Sequence, residues 1–312
     1  MNGFTEKTFD FACHPGETLK EKLMEMSMSV KEFALRTGKP EKSVIDIIDG
    51  TQSVTTETAL LMEKVTWIPA GFWLAKQRNY DEYVLRQKTS RHGGNELAWL
   101  RTLPLQEMVE KGWLELGETD SDQVEKALHF FGVASPAAWK DVYFLQKLKV
   151  AFRISLGKTA NPGAVAAWLR RGEIQSMDMY LDRRYAPKRL KSLLPEISLL
   201  LQSPPDTVIG RLTALLADAG IKLLFTESLS GVPIKGATRW IYGWPSIQLL
   251  SERQEYEDFR FTVLHEIGHI LLHGKKDIFL EQAGFTPDDD PAYTKKEQEA
   301  DVFARKWMEN QP

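Results

Sequence analysis

The residues best placed to do chemistry are His265-Glu266-Ile267-Gly268-His269. On a helix, positions i and i+4 share a face, so both imidazoles can point at one ion. Glu266 lies beside that face and can reach a water on the ion. Zinc held this way lowers the pKa of its water to about 7. A neighbouring carboxylate can take that proton and pass it to a leaving amine. A catalytic zinc needs a third protein ligand and an open fourth position. His273 is a further i+4 step, too far along the axis to share the ion, and reads as a supporting or structural group. The segment Glu297-Gln298-Glu299-Ala300-Asp301 offers better candidates. Glu297 and Asp301 share a helical face, and Glu299 points roughly the other way. Glu297 is assigned as the ligand and Glu299 as the second choice. Asp301 is assigned to accept a hydrogen bond from the far nitrogen of His265 or His269, which fixes that ring's tautomer. The bland alternative is that two histidines decorate a helix above a solvated acidic face. The ligand spacing, the Glu at the base position and the later acidic pair weigh against it.

These groups need two helices and a platform. Gln254 to His273 reads as a helix with Leu264, Ile267 and Leu271 on its apolar face, ended by Gly274. Thr294 to Met308 reads as the helix carrying the carboxylates. Three short strands come first, at Ile221 to Thr226, Ala237 to Tyr242 and Ser246 to Leu250, with Gly and Pro between them. Before these lies Thr207 to Ala219, a helix entered through Pro204 and Pro205. From Glu96 to about Gln202 the pattern is helical, with a clear start at Asn161-Pro162 leading into Ala164 to Arg170. Lys88 to Asn95, with Gly93 and Gly94, looks like a linker. Gly16 to about Gln87 reads as five short helices. Ser29 and Glu32 form a capping box for the second, Pro40 suits the first turn of the third, and Thr55 or Thr56 caps the fourth. The expected organisation is 1–90 as an N-terminal helical domain, 91–203 as a helical middle region and 204–312 as the site-bearing core.

The chain has 312 residues, 43% hydrophobic and 27% charged, with net charge −3. That is ordinary globular composition, and it excludes bulk binding of polyanions. Charge is uneven. Residues 140–191 hold twelve Lys/Arg against four Asp/Glu, and residues 251–312 hold eight against fourteen. The single cysteine, Cys13, makes no internal disulfide and no thiolate metal cluster. The N-terminus lacks a signal-peptide pattern, and no apolar run approaches the roughly 20 residues of a membrane span. A cytoplasmic protein that makes no use of membranes is expected.

Residues from about Ala151 to Trp307 resemble the ImmA/IrrE family of zinc metallopeptidases. The matching pieces are Ala167-Trp168-Leu169-Arg170-Arg171-Gly172-Glu173, the strand region Gly236 to Ser251, Phe261 to His269, and Glu297 to Ala304. The resemblance implies a gluzincin-like zinc peptidase domain: a small sheet, the metal-binding helix and a second helix giving a glutamate. It implies a Zn2+ cofactor and cleavage of a partner transcriptional repressor. The strand Ile247 to Leu250 could pair with substrate backbone. Tyr293, His273 and Arg239 are the candidates for an oxyanion partner, with nothing to decide among them.

Residues 14–85 resemble the Xre-type helix-turn-helix of HigA antitoxins, through His14-Pro15-Gly16-Glu17, Ser29 to Ala34, Asp49-Gly50, Thr55 to Ala59 and Phe72-Trp73-Leu74 through Tyr80-Asp81. This implies a second helix that braces a third in the major groove. Lys39 would meet phosphate, and Lys42, Ser43, Thr51 and Gln52 would contact DNA from the third helix and its flanks. The module is charge-neutral, with nine basic and nine acidic residues over 11–80. Phosphate attraction is therefore weak. Trp67, Phe72 and Trp73 are expected in the core. Arg183, Arg184, Lys188, Arg189 and Lys191 are expected on a solvated helix end or an interdomain surface, and His14, His92 and His129 carry no assigned function.

The fold class expected is mainly α with a small β-sheet (α+β). The leading functional expectation is a DNA-binding transcriptional regulator fused to a zinc-dependent endopeptidase. Its partners would be operator DNA and a protein substrate, a repressor or a toxin–antitoxin component, with a homodimer allowed. The alternative is a HigA-like antitoxin or repressor whose peptidase-like domain senses or holds a partner without cutting it.

Overall fold

The computed structural model describes residues 13–89, 94–146, 161–251, 255–275, 278–282 and 291–309. Part of the expected linker, His92, the first ten residues of the ImmA/IrrE resemblance and most of the acidic stretch after Gly274 lie outside them. The chain divides into two units, Met1–His92 and Gly93–Pro312.

In the first unit, side-chain caps start three of the described helices. His14 accepts a hydrogen bond from the Gly16 amide at 3.0 Å and caps α1 (Pro15–Glu25). Ser29 Oγ accepts from the Glu32 amide at 3.1 Å and starts α2 (Val30–Thr37). The reciprocal arm of the capping box is replaced, since the Glu32 carboxylate takes Arg36 at 2.6 Å. Gly38, at φ +66°, closes α2 in the left-handed conformation that glycine adopts without strain. The tight turn delivers α3 (Glu41–Ile48), and Thr55 caps α4 (Thr56–Thr66), followed by α5 (Ala70–Thr89). Leu19, Leu23, Phe33, Val44, Ile47, Met62 and Trp73 form the shared core. Trp73 is fully buried, as expected, but Trp67 and Phe72 are not. Trp67 is 82% exposed because it ends α4 at φ +58°, which turns its side chain off the core face.

The second unit opens with helices α6 (Gly94–Leu100), α7 (Leu105–Glu110), α8 (Asp120–Phe131) and α9 (Pro136–Lys140). They share an apolar core with α10 (Pro162–Asp178), which Asn161 caps through the amides of Gly163 and Ala164. Next come α11 (Pro187–Leu200) and α12 (Pro205–Asp218), parted by Pro204 and Pro205 yet joined in one core through Leu190, Ile197, Leu212 and Leu216.

The sheet contains β1 (Lys222–Thr226), β2 (Ile234–Ile241), β3 (Trp244–Leu250) and β4 (Phe279–Gln282) in the order β1-β3-β2-β4. The pair β1/β3 is parallel, and β2 runs antiparallel to both β3 and β4. The sequence pattern picked out three of these strands. The fourth is four residues long, too short for alternation to mark it. Between β3 and β4 runs α13 (Tyr256–Leu272), and α14 (Pro291–Glu309) follows. Adjacent residues of β2 face opposite ways. Thr238 hydrogen-bonds the Glu266 carbonyl of α13 at 3.2 Å, while Arg239 reaches Glu173 of α10 at 3.0 Å. The sheet therefore lies between α10 on one face and α13 on the other. The fold is α+β, mainly helical. Among the described residues, no helix is long and apolar enough to cross a membrane.

Candidate metal centre

The site forms where α13 and α14 pack side by side. Val263, Leu264 and Ile267 turn α13 into the core, and Ala300 and Ala304 give α14 a smooth face to lay against it. Gly268 permits the close approach. A Cβ there would sit 3.1 Å from the Phe303 ring and 3.4 Å from the Ala300 Cα. This contact carries the carboxylates of α14 to the histidines of α13.

One ligand atom from each of His265, His269 and Glu297 lies within 4.8 Å of the other two. His265 Nε2 is 2.8 Å from His269 Nε2 and 3.1 Å from Glu297 Oε2, and His269 Nε2 is 3.5 Å from the same oxygen. On its other side, His265 Nδ1 meets Asp301 Oδ1 at 3.0 Å. His269 Nδ1 meets His273 Nδ1 at 3.0 Å, and His273 Nε2 reaches Glu299 at 3.2 Å. Glu299 thus stands behind His273, while Glu297 stands between the two rings. Both histidines of the pair are almost wholly buried, and Glu266 is fully so.

The protons tell what this geometry suits. Burial lowers the His269 pKa to about 4, against the smaller opposing pull of Glu297, so the ring is neutral at pH 7. Burial pushes the Glu297 carboxyl up, but hydrogen bonds from His265 and His269 outweigh it and hold the group at about 2. A neutral His265 has one ring proton: in the metal-free site Nε2 can hold it and donate to Glu297, and with an ion bound the Asp301 carboxylate, a pure acceptor, takes the hydrogen bond from Nδ1. Nε2 then presents a lone pair towards a second imidazole nitrogen and a carboxylate oxygen. Three acceptors converging in a buried space are the donor set of a divalent cation, and imidazole with carboxylate suits zinc. The residues present fit that ion.

Glu266 is turned towards β2. A Cβ at Gly236 would lie 2.7 Å from Glu266 Oε1. Glycine in a strand marks a close approach, and at Gly236 that signal was available in the sequence and went unused. Also unforeseen is Phe279 of β4, whose ring stacks on His269 with centroids 3.8 Å apart. His14, given no function from the sequence, caps α1 and packs edge-on against Tyr80.

Two expectations about the surroundings need correction. The strand Ile247 to Leu250 cannot accept a substrate strand, because β3 is interior and pairs with β1 on one side and β2 on the other. Arg239 cannot serve as an oxyanion partner. Its guanidinium faces α10, where it donates to Glu173, to Gln248 and to the Leu169 carbonyl. Burial lowers its pKa, and the Glu173 carboxylate opposes that. Of the other two candidates, Tyr293 accepts from the Leu280 amide at 3.2 Å, and His273 bridges His269 and Glu299.

In the N-terminal unit, Lys42 is exposed on α3 and Ser43 is half-buried there, with Glu41 and Asp49 exposed beside them. Thr51 and Gln52 follow α3, the Thr51 hydroxyl donating to the Asp46 carbonyl at 3.0 Å. Lys39 is held by Glu57 at 2.8 Å. Of the basic cluster, Arg183 and Arg189 both close on Asp218, at 2.6 and 2.5 Å, which ties them to the end of α12.

Residues 219–308 match the sequence model of Peptidase_M78, the IrrE N-terminal-like domain. The resemblance drawn from the sequence was to this family and began further upstream, at about Ala151. No curated protein matches the chain. Among solved structures, a HigA-family addiction module antidote protein from Coxiella burnetii is 28% identical, with a TM-score of 0.24 over 35% of this chain and 98% of its own. Pseudomonas aeruginosa antitoxin HigA, solved with the higBA promoter, is 27% identical, with a TM-score of 0.24 over 26% of this chain and 94% of its own.

Proposed function

We propose that this chain is a DNA-binding transcriptional regulator fused to a zinc-dependent endopeptidase that cleaves a partner regulatory protein. The observation that carries the catalytic half is the convergence of His265, His269 and Glu297 with the Asp301 carboxylate behind His265. Those three residues would hold the zinc. When bound, the ion supplies Lewis acidity to a scissile carbonyl and to an attacking water. The chain's own groups do the rest. Asp301 keeps the Nδ1 proton on His265, so that Nε2 stays a ligand. His273 steadies His269 in the same way, backed by Glu299. Glu266 is the general base: it takes a proton from water and returns it to the leaving amine.

The DNA half rests on the α2–Gly38–α3 turn, which leaves Lys42 exposed on the following helix. Lys42, Ser43 and Gln52 would approach base edges, and Lys39 and Thr51 the backbone. Partners are operator DNA and a repressor or toxin–antitoxin protein, met in the cytoplasm.

The test uses purified full-length protein beside His265→Ala. Elemental analysis is expected to find one zinc per chain in the first and none in the second. Incubation with the products of neighbouring genes is expected to give cleavage that a chelator stops. Glu266→Gln is expected to keep zinc and lose cleavage. Equal metal content in the wild type and His265→Ala would sink the site, and cleavage by Glu266→Gln would remove its base.

A further inference from the structure

We propose that β4 is a strap that shuts the metal centre, and that it must part from β2 before an ion or a peptide can enter. The proposal rests on the metal-centre reading above and adds to it a built-in closure.

The histidine pair and the base are shut away, and Glu297 keeps only 16% of its side chain exposed. His265, Glu266 and His269 have relative exposures of 2%, 0% and 1%. A hydrolase has to admit a chain many residues long to such a place, so some element must yield. The two helices that carry the ligands, 17 and 19 residues long, share the core through Ile267 and Ala304. Strand β3 is paired on both sides, and β2 is paired by β3 and β4. Among the described residues, strand β4 is the shortest element of the sheet, lies at its edge and pairs only with β2. Its register on β2 slips between Ile234 and Gly236. Short edge elements with few backbone pairings are the ones that open at least cost.

What holds β4 down is also what covers the site. The Phe279 ring lies on His269 at 3.8 Å between centroids, 12° from parallel, and its centroid is 5.1 Å from that of His273. Tyr293 of α14 stacks on Phe279 in turn, centroids 5.8 Å apart. The Tyr293 hydroxyl accepts from the Leu280 amide at 3.2 Å. That amide points away from β2, off the outer edge of the sheet. Tyr293 therefore latches the edge that β4 would otherwise leave bare, and it does so from the helix that carries Glu297. Strap, latch and ligands form one stack: Tyr293, Phe279, His269.

The test reads metal exchange, which needs no substrate. Full-length protein is loaded with Co2+, and the rate of transfer to excess chelator is followed by absorbance. If neither the wild type nor any variant takes up Co2+, the metal-centre reading fails before the strap is tested. With Co2+ bound, Tyr293→Phe keeps the ring but loses the acceptor for the Leu280 amide. Its transfer is expected to be about fivefold faster, the worth of one hydrogen bond, with faster exchange of the Leu280 amide proton. A second protein carries Ala237→Cys and Leu280→Cys in a Cys13→Ser background. Ala237 and Leu280 are register partners. With the Leu280 amide turned outward, they form the non-hydrogen-bonded kind of pair, whose side chains lie close enough to bridge. The oxidised form is expected to release Co2+ at least about tenfold more slowly than the same protein after reduction. Equal rates for the oxidised and reduced forms, or a Tyr293→Phe rate equal to the wild type, would overturn the strap.

Discussion

Asp301 meets the outer nitrogen of His265 at 3.0 Å from one full turn beyond Glu297 on α14. One helix face thus serves the same imidazole twice, once at each nitrogen. In the proposed metal centre the outer contact would fix which nitrogen keeps the proton, and the inner one would place the carboxylate that shares the ion. Replacing Asp301 by Asn puts an amide where a pure acceptor stood. Zinc affinity is expected to fall by about 10- to 100-fold with little change in thermal midpoint of the metal-free protein. Competition with a chelator of known affinity measures it, and an unchanged affinity would release Asp301 from this role.

Acid should destabilise the metal-free protein through the same cluster. His269 titrates at about 4 in the folded chain against 6.5 for an ordinary imidazole, so the unfolded chain binds more protons between those values. The sign is therefore a loss of stability as pH falls below 6.5, complete near pH 4, worth about 3 kcal/mol. Glu297, held at about 2 against 4.5, adds a further loss below pH 4.5. Urea denaturation at pH 7, 5.5 and 4.5 should show the midpoint falling. In His269→Gln the fall between pH 7 and 5.5 should shrink.

Lys39 is tied to Glu57 at 2.8 Å, and only about a quarter of its side chain is exposed. An ammonium engaged by a carboxylate contributes little to phosphate binding. Glu57→Gln should free it. Binding to the chain's own promoter DNA is expected to tighten, and the slope of log K against log salt to steepen by about 1. Fluorescence anisotropy at several salt concentrations reads both. If Glu57→Gln leaves affinity and slope unchanged, Lys39 has no phosphate to meet.

Glu173 is the carboxylate that neutralises Arg239, with Arg170 sharing it at 2.9 Å. Glu173→Ala would leave a buried guanidinium uncompensated. The expected cost is about 3 kcal/mol, at the lower end for a broken buried pair because Glu173 keeps some contact with water. Guanidinium denaturation reads it, and a cost under about 1 kcal/mol would show the pair to be well solvated.

Much of this architecture was legible because local chemistry writes it. Ser29, Thr55 and Asn161 are caps by residue type, and their helices start where the sequence says. The spacing of His265, His269, Glu297 and Asp301 was readable because helical periodicity puts i and i+4 on one face, whatever the tertiary fold. What stayed hidden depends on which elements meet. The residues of β4 have no pattern of their own, and only pairing with β2 makes them a strand. Arg239 looked free to face the site because a strand residue's face is fixed by register, which the sequence of one strand does not state. Trp67 was assigned to the core by its type, and its left-handed backbone carried it out.

The hydrogen bonds from Arg239 to Leu169, Glu173 and Gln248 set a lower limit on how far the chain can be trimmed. Cutting at the Pro204-Pro205 break would keep every putting-together of histidine and carboxylate, yet strip the sheet of the helix that balances its buried cation. Such a fragment would lose its footing on the face opposite the candidate metal centre, and would precipitate or stay unfolded while retaining all the proposed ligands.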